Sequence, residues 1–314
     1  MKKLKQIILN LSPTDLIVVV FYSFLIVLNI IFHNRISASF TLILYNFLFI
    51  TLVVTLAQLD KIKSTTFIQQ MRWWYVAPLI FLTFKEMYFL VRPIHHVDYD
   101  DILIAIDRFT FGCDPTIELY KIANPFLTEI LQVAYGTFFI LPIILGVDLM
   151  LKKRFTDLNF SLFVVVLGFF LSYIGYLLVP AVGPRFTLHD FHLTDAELPG
   201  LVLTDIVRFI VNSGESIFEG MQNPIELVQR DVFPSGHAQM TMLIMYLSVK
   251  LKTKTRYFLI PDGILLIIGT VYLRYHYVID LFGAVVFLMI TLWLGRRLYN
   301  RWMGITGGEK FEYP

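Results

Sequence analysis

The stretch DLIVVVFYSFLIVLNIIFHNRISASFTLILYNFLFITLVVTLAQ, residues 15–58, gives the first indication of the architecture. It contains two apolar runs, 15–33 and 38–58, separated only by the polar tripeptide at 33–35. A helix of about 20 apolar residues crosses the hydrocarbon core of a bilayer, which is about 30 Å thick. The stretch therefore predicts two membrane-spanning helices joined in a tight hairpin.

The composition of the whole chain agrees with a membrane environment. Of its 314 residues, 57% are hydrophobic and only 16% are charged, whereas about a quarter are charged in a typical soluble domain. The mean hydropathy of +0.69 also argues against soluble enzyme folds. The net charge of +2 provides no basic face for nucleic acid. The single cysteine, Cys113, excludes an intrachain disulfide.

Apolar segments bounded by charged residues recur along the chain. Eight of them approach the length of a membrane-spanning helix: 15–33, 38–58, 73–91, 126–149, 159–180, 237–250, 257–273 and 278–295. We therefore predict an all-α fold, a polytopic transmembrane helical bundle of about eight spans. The first run follows a basic start but lacks a small-residue cleavage site, so we expect it to be retained as the first span.

The distribution of Lys and Arg predicts the orientation of the chain. If the spans alternate, the connections on the side of the N-terminus hold seventeen Lys and Arg, and those on the other side hold eight. Basic residues accumulate on the cytoplasmic side, so we predict a multi-pass protein of the cytoplasmic (inner) membrane with both termini in the cytoplasm. The two long connections, 92–125 and 181–236, then lie outside, where we expect the functional site.

Three polar motifs lie at this same predicted outer boundary. They are Pro180-Ala-Val-Gly-Pro-Arg185, Phe233-Pro-Ser-Gly-His237 and Arg274-Tyr-His-Tyr-Val-Ile-Asp280. The second motif stands where a helix should begin, and the unpaired N–H groups and dipole of a helix start attract anions. Guanidinium groups suit phosphate oxygens. The motifs predict a phosphoryl site formed by Ser235, Gly236, Arg185 and Arg274, although each arginine alone could also be an ordinary boundary residue contacting lipid.

The histidines add reactive groups to this predicted site. His276 and Asp280 are four residues apart, so on a helix the carboxylate can hold one imidazole nitrogen and leave the other free as a nucleophile. The second histidine, His237, can protonate a leaving oxygen and later activate an acceptor. Together they provide a complete set for displacement at phosphorus, and we expect neither a metal nor a cofactor.

The motif Pro234-Ser-Gly-His237, followed by His276-x-x-x-Asp280, resembles the type 2 phosphatidic acid phosphatase (PAP2) superfamily. With the stretch at 106–115, the motifs look most similar to its inositolphosphorylceramide synthase-like phosphotransferase branch. The resemblance covers about residues 100–295 and implies a six-helix catalytic core. It divides the chain into three parts. Residues 1–72 form an N-terminal transmembrane hairpin and cytoplasmic loop, residues 73–300 a PAP2-like catalytic membrane domain, and residues 301–314 a cytoplasmic tail.

The resemblance also implies roles for individual residues. His276 would attack phosphorus and become a phosphohistidine, Asp280 would orient it, and His237 would protonate the departing alkoxide. The implied phosphate ligands are Arg185, Ser235, Gly236 and Arg274. Members of the superfamily work without a metal.

The chain departs from the superfamily pattern at two positions. Leu178 stands where a lysine is usual, and Thr270 stands where an arginine is usual. Lys85 and Arg92, followed by proline, match the usual lysine and arginine spacing instead. They are either the phosphate ligands or a coincidental match, and we keep them as candidate contacts to the substrate headgroup. We favour Arg185 as the main phosphate ligand because it stands 52 residues before His237, whereas Arg92 stands about 145 residues before it. The shorter separation is closer to the compact order of the motifs in the superfamily.

The sequence therefore predicts a metal-independent lipid phosphatase that cleaves lipid phosphate or diphosphate esters through a phosphohistidine on the extracytoplasmic face. An alternative is a lipid phosphotransferase that passes the phosphoryl headgroup to a lipid hydroxyl, because the same residues serve both reactions. A second alternative is a non-catalytic membrane transporter or lipid-binding protein. The expected partners are a membrane lipid phosphate and the bilayer, and no nucleic acid.

Overall fold

Helices form the regular structure of the chain. The computed structural model describes residues 2–218 and 220–314, and this part contains no β-strand. The helices are α1 (Lys2–Leu9), α2 (Pro13–Ile31), α3 (Ser39–Ile62), α4 (Thr66–Trp74), α5 (Val76–Ile94), α6 (Asp100–Phe111), α7 (Pro115–Tyr120), α8 (Pro125–Gly136), α9 (Ile140–Leu151), α10 (Phe155–Leu178), α11 (Pro184–Thr187), α12 (Thr194–Glu197), α13 (Thr204–Gly214), α14 (Pro224–Leu227), α15 (Gly236–Lys250), α16 (Arg256–Tyr272) and α17 (Val278–Thr306). The predicted all-α fold is confirmed.

Several helices are long and apolar enough to be membrane spans. Among the described residues, five stretches are long and apolar enough to cross a membrane: α2, α3, α4 with α5, α10 and α17. The pair α8 and α9, bent by 54° at its break, makes a sixth if it counts as one span. The other two predicted segments form α15 and α16, which have 15 and 17 residues. These helices support a multi-pass membrane protein, and the count of eight stays a prediction.

The predicted N-terminal hairpin forms from α2 and α3, which pack against each other. Helix α2 begins with a capping box, in which the Ser12 hydroxyl accepts from the Asp15 N–H and the Asp15 carboxylate accepts from the Ser12 N–H. Pro13 occupies the first helical position, where its missing N–H is not needed. Local sequence therefore defines where the first span begins.

The chain divides into two compact units, each assembled from separate stretches. The first comprises Met1–Ile94, Leu149–Leu171 and Ile290–Pro314. Its buried polar residues include Glu86, whose carboxylate accepts from the amides of Asn29 at 3.2 Å and Asn46 at 2.7 Å. Such links between helices are typical of membrane bundles. The predicted division into a hairpin, a catalytic domain and a tail, with boundaries at residues 72 and 300, rests on the superfamily resemblance and stays a prediction.

The second unit comprises His95–Asp148 and Ser172–Met289. Helix α16 packs against both α8 and α15, and α13 packs against α8. This unit contains all three polar motifs singled out from the sequence, whereas Lys85 and Arg92 belong to the first unit. The candidate site is therefore built from the second unit.

Candidate active site

His276 lies in the short connection between α16 and α17 and is only 3% exposed. Its Nδ1 lies 3.0 Å from the carbonyl oxygen of Val232 and 3.4 Å from Oδ2 of Asp280. Because a carbonyl oxygen can only accept, Nδ1 carries the proton and Nε2 keeps its lone pair. The predicted carboxylate contact is present, but the closer partner is a backbone carbonyl that sequence reasoning missed.

Burial determines the charge state of this imidazole. It lowers the pKa of His276 to about 3, and the positive charge of Arg185 acts in the same direction, while the Val232 carbonyl opposes both. A charged imidazolium is disfavoured away from water. The ring is therefore neutral near pH 7, as a nucleophile must be.

Asp280 connects two of the three motifs. It is fully buried in the first turn of α17, and its Oδ2 accepts from the backbone N–H of Tyr277 at 2.8 Å. Its backbone carbonyl accepts from the N–H of Ser235 at 3.2 Å. The turn that precedes α15 and the turn that begins α17 are thus tied together at the residue predicted to orient His276.

The start of α15 has the cap that its sequence predicts. The Ser235 hydroxyl oxygen accepts from the Ala238 N–H at 3.2 Å, a standard serine N-cap. A Cβ added to Gly236 would lie 2.2 Å from the hydroxyl oxygen of Tyr176, so this position has no room for a side chain. Glycine at this position therefore permits the close approach of Tyr176, a contact that the sequence did not reveal.

The two histidines lie close to each other. The ring of His237 stacks on Tyr135, with centroids 4.5 Å apart, and packs against Phe138 at 4.2 Å. Its Nδ1 lies 3.3 Å from the Tyr135 hydroxyl oxygen. The ring centroids of His237 and His276 are 5.9 Å apart. The structure therefore brings the two predicted histidines together.

Arg185 is the arginine that reaches the histidines. It lies on α11, is 4% exposed, donates to the Asn212 side-chain oxygen at 3.1 Å and forms an ion pair with Glu215. It shares one small cavity, about 10 Å³ in volume, with both histidines. The residues lining that cavity are Tyr135, Val182, Arg185, Glu215, Asp231, Val232, His237, Tyr275 and His276.

Arg274 takes a different position from the one that sequence reasoning gave it. Its guanidinium pairs with Glu197 and lies over the ring of Tyr120 at 5.2 Å, and it is not among the residues that line the cavity. It contributes through its backbone, since its carbonyl accepts from the Arg185 N–H at 3.1 Å. Its φ of +67° sets that carbonyl in a turn.

Sequence reasoning missed two carboxylates at the cavity, Glu215 and Asp231. Glu215 directly follows α13, outside every motif, so no local signal indicated it. Asp231 stands two residues before Phe233, just outside the second motif. The positive charge of Arg185 offsets the negative charge of Glu215 in this cavity.

A larger cavity of about 740 Å³ shares Arg185 and Tyr275 with the histidine cavity. Its other lining residues include a second buried arginine, Arg208, which pairs with Asp195. Cavities of about 300–1,000 Å³ accommodate ligands of drug size. Space for a substrate headgroup or an acceptor therefore exists beside the histidines.

Two other expectations concern Lys85, Arg92 and metals. Lys85 lies on α5 with its ammonium 5.9 Å from the centre of the Phe81 ring, and Arg92 is exposed near the end of the same helix. Within residues 2–218 and 220–314, no group of three or more His, Cys, Asp or Glu side chains could hold a metal ion. The roles of Lys85 and Arg92 and the metal-free reaction stay predictions.

Comparison with known proteins adds one finding. The family model described as the PAP2 superfamily matches residues 101–294, more than half of the chain. No curated protein and no solved structure matches. The matched range contains all of α6 except its first residue, and all three polar motifs. It confirms the superfamily inferred from the motifs, and the inositolphosphorylceramide synthase-like branch stays a prediction.

Proposed function

Because this chain belongs to the PAP2 superfamily, we propose that it is an integral membrane enzyme that cleaves lipid phosphate or diphosphate esters through a phosphohistidine. Membership supports a phosphatase or phosphotransferase type of function. One observation supports the finer assignment: His276, His237 and Arg185 line one cavity, with Nδ1 of His276 bound on the side away from its free lone pair.

In the proposed first step, Nε2 of His276 attacks phosphorus and the bond from phosphorus to the lipid oxygen breaks. His237 gives its proton to the departing oxygen. The His276 ring becomes cationic as the new bond forms, and the Asp280 carboxylate, 3.4 Å from Nδ1, stabilises that charge. Asp280 thus stabilises the intermediate as well as orienting the ring.

In the proposed second step, His237 takes a proton from water or from an alcohol, whose oxygen attacks phosphorus. The bond between nitrogen and phosphorus breaks, and the electron pair returns to Nε2 of His276. Water as acceptor gives a phosphatase, and a lipid hydroxyl gives a phosphotransferase. The residues are the same in both reactions.

The phosphoryl group would bind in place of Glu215 on Arg185. A single water needs a cavity of roughly 10–15 Å³, so the cavity of about 10 Å³ has no space for a phosphoryl group while Glu215 occupies it. A phosphate dianion carries more charge than the carboxylate and can bind a guanidinium through two oxygens. Ser235 and Gly236 at the start of α15 supply further donors in this proposal, and Arg274 acts through the turn that holds Arg185.

The phosphotransferase alternative is favoured by the cavity of about 740 Å³, since hydrolysis by water alone needs no such space. Lys85 and Arg92 remain proposed headgroup contacts. We place the enzyme in the cytoplasmic membrane with its site on the extracytoplasmic face, a proposal that rests on the distribution of basic residues.

A direct test supplies the purified protein with phosphatidate, a polyprenyl diphosphate, or a ceramide with a phosphoinositide, each labelled with radioactive phosphorus. We expect phosphorus to leave the donor, as free phosphate for a phosphatase and as lipid-linked phosphorus for a transferase. His276→Gln should abolish this transfer and His237→Gln should slow it, while His96→Gln, at an exposed position, serves as the matched control.

A His237→Gln enzyme should also accumulate acid-labile phosphorus on the protein, because its second step is slowed. Near wild-type turnover by His276→Gln would exclude the phosphohistidine. Binding of lipid phosphates with no transfer from any donor would favour the non-catalytic transporter or lipid-binding protein instead.

A further inference from the structure

Helix α6 carries two buried carboxylates whose position has a consequence for the site. Its buried face consists of Asp100, Leu103, Ile104 and Asp107, spaced three, four and seven residues from the first. Such a stripe is normally apolar throughout. The two central residues follow that rule and pack in a cluster with Val232, whose carbonyl binds His276. The two outer residues, Asp100 and Asp107, depart from it because they are carboxylates on the buried face.

Asp100 binds the backbone that leads to Arg185. Its carboxylate accepts from the N–H groups of Val182 at 3.0 Å and Gly183 at 2.8 Å. It also accepts from the hydroxyl of Tyr277 at 2.7 Å. Gly183 has a φ of +94°, which only glycine adopts readily. This carboxylate therefore holds the turn from which α11 and Arg185 begin.

Asp107 binds the start of α17. Its two oxygens accept from the N–H groups of Val278 at 2.9 Å and Ile279 at 2.8 Å. The first N–H groups of a helix have no partner inside the helix, and a negative charge there interacts favourably with the helix dipole. Asp107 thereby fixes the helix start that carries Asp280 and, through it, the connection that carries His276.

We propose that Asp100 and Asp107 are positioning residues for the transfer reaction. Seven residues apart on one rigid helix, they set the phosphate-binding Arg185 at a fixed place relative to His276 and Asp280. Neither carboxylate lines the histidine cavity, so neither acts on the phosphorus itself. The inference rests on the proposed function, because it assigns different steps of that reaction to the two carboxylates.

Burial alone would disfavour both charges, and it raises the pKa of Asp100 and of Asp107 against the opposing effect of their hydrogen bonds. A buried carboxylate with two backbone N–H partners is stable only while both bonds are made. Asparagine has the same shape, but its NH2 group takes the place of one carboxylate oxygen, so the backbone N–H that this oxygen accepted from loses its partner. The substitution to asparagine therefore loosens the backbone at one defined point.

The test compares Asp100→Asn and Asp107→Asn with Asp101→Asn, an exposed neighbour on the same helix. Asp100→Asn should raise KM and the Kd for inorganic phosphate about 10- to 100-fold, because it frees the turn before Arg185. Asp107→Asn should lower the rate of phosphoenzyme formation by a similar factor with phosphate binding retained. The control should match the wild type in both measurements.

Equal losses of KM and rate in both variants, in proportion to thermal stability, would overturn the inference, and so would activity equal to that of Asp101→Asn. Should Asp107→Asn fail to fold, Asp107→Glu keeps the charge and shifts it by one methylene. That variant should fold and still form phosphoenzyme at least about tenfold more slowly, and full activity would contradict positioning. If the wild type forms no phosphoenzyme, the proposed function fails, independently of α6.

Discussion

Replacing Glu215 by glutamine should increase the affinity of the purified protein for inorganic phosphate. The Arg185 guanidinium is buried and paired with the Glu215 carboxylate in the cavity that holds both histidines. The cavity has a volume of about 10 Å³ in this arrangement. A phosphate anion must therefore displace the carboxylate before it can bind. Glutamine has nearly the same shape and no charge, so it competes less.

The size of the effect follows from the strength of the contact that is lost. A hydrogen bond to a charged group contributes about 1.5–3 kcal/mol, and each 1.4 kcal/mol is a factor of about ten in affinity. The Glu215 and Arg185 side chains are 12% and 5% exposed, so solvent screens the pair weakly. We expect the Kd for phosphate to fall about 10- to 100-fold in Glu215→Gln.

Titration calorimetry in detergent, or inhibition of turnover by phosphate and by vanadate, measures this change. Asp195→Asn is the matched control, because it removes a carboxylate from Arg208, another buried arginine, which lines the larger cavity and not the histidine cavity. The control should leave the Kd within about twofold. An unchanged or weaker Kd in Glu215→Gln would mean that phosphate does not replace this carboxylate on Arg185.

Gly236→Ala should reduce phosphate release at least about tenfold, because its Cβ would lie 2.2 Å from the Tyr176 hydroxyl oxygen. The control Gly214→Ala, whose Cβ would have open space around it, should be neutral. Equal effects of the two substitutions would contradict the steric explanation. The rate of phosphoenzyme formation should not fall through protonation of His276 until the pH is well below 6, because burial lowers the pKa of His276 to about 3 and the ring stays neutral above that value. A decrease in this rate with a midpoint near pH 6.5 would contradict this prediction. Turnover of the wild type should persist in a chelator such as EDTA, and loss of activity that a divalent metal restores would contradict the metal-free proposal.

The fold class could be predicted from the sequence because it is encoded locally, and the proposed catalytic residues could be picked out from it for the same reason. Long apolar runs indicate membrane helices by their length alone. The serine at position 235 predicts a helix start, and the structure places α15 directly after it. His276 and Asp280, four residues apart, lie in contact as their spacing suggested. The number of spans stays a prediction, because α15 and α16 are too short for length to distinguish a span from a buried helix.

The roles of the arginines and carboxylates depend on contacts between distant parts of the chain. Arg185 and Arg274 are equivalent as residue types, yet only Arg185 lines the histidine cavity, because α11 points it there while Glu197 binds the other guanidinium. The Val232 carbonyl that binds His276 is 44 residues away from it in sequence, and Asp107 is 171 residues away from Val278. No spacing rule covers such separations, since they arise only when helices pack. Local sequence therefore determines which candidate reactive residues are present, and packing determines which charged side chains lie beside them.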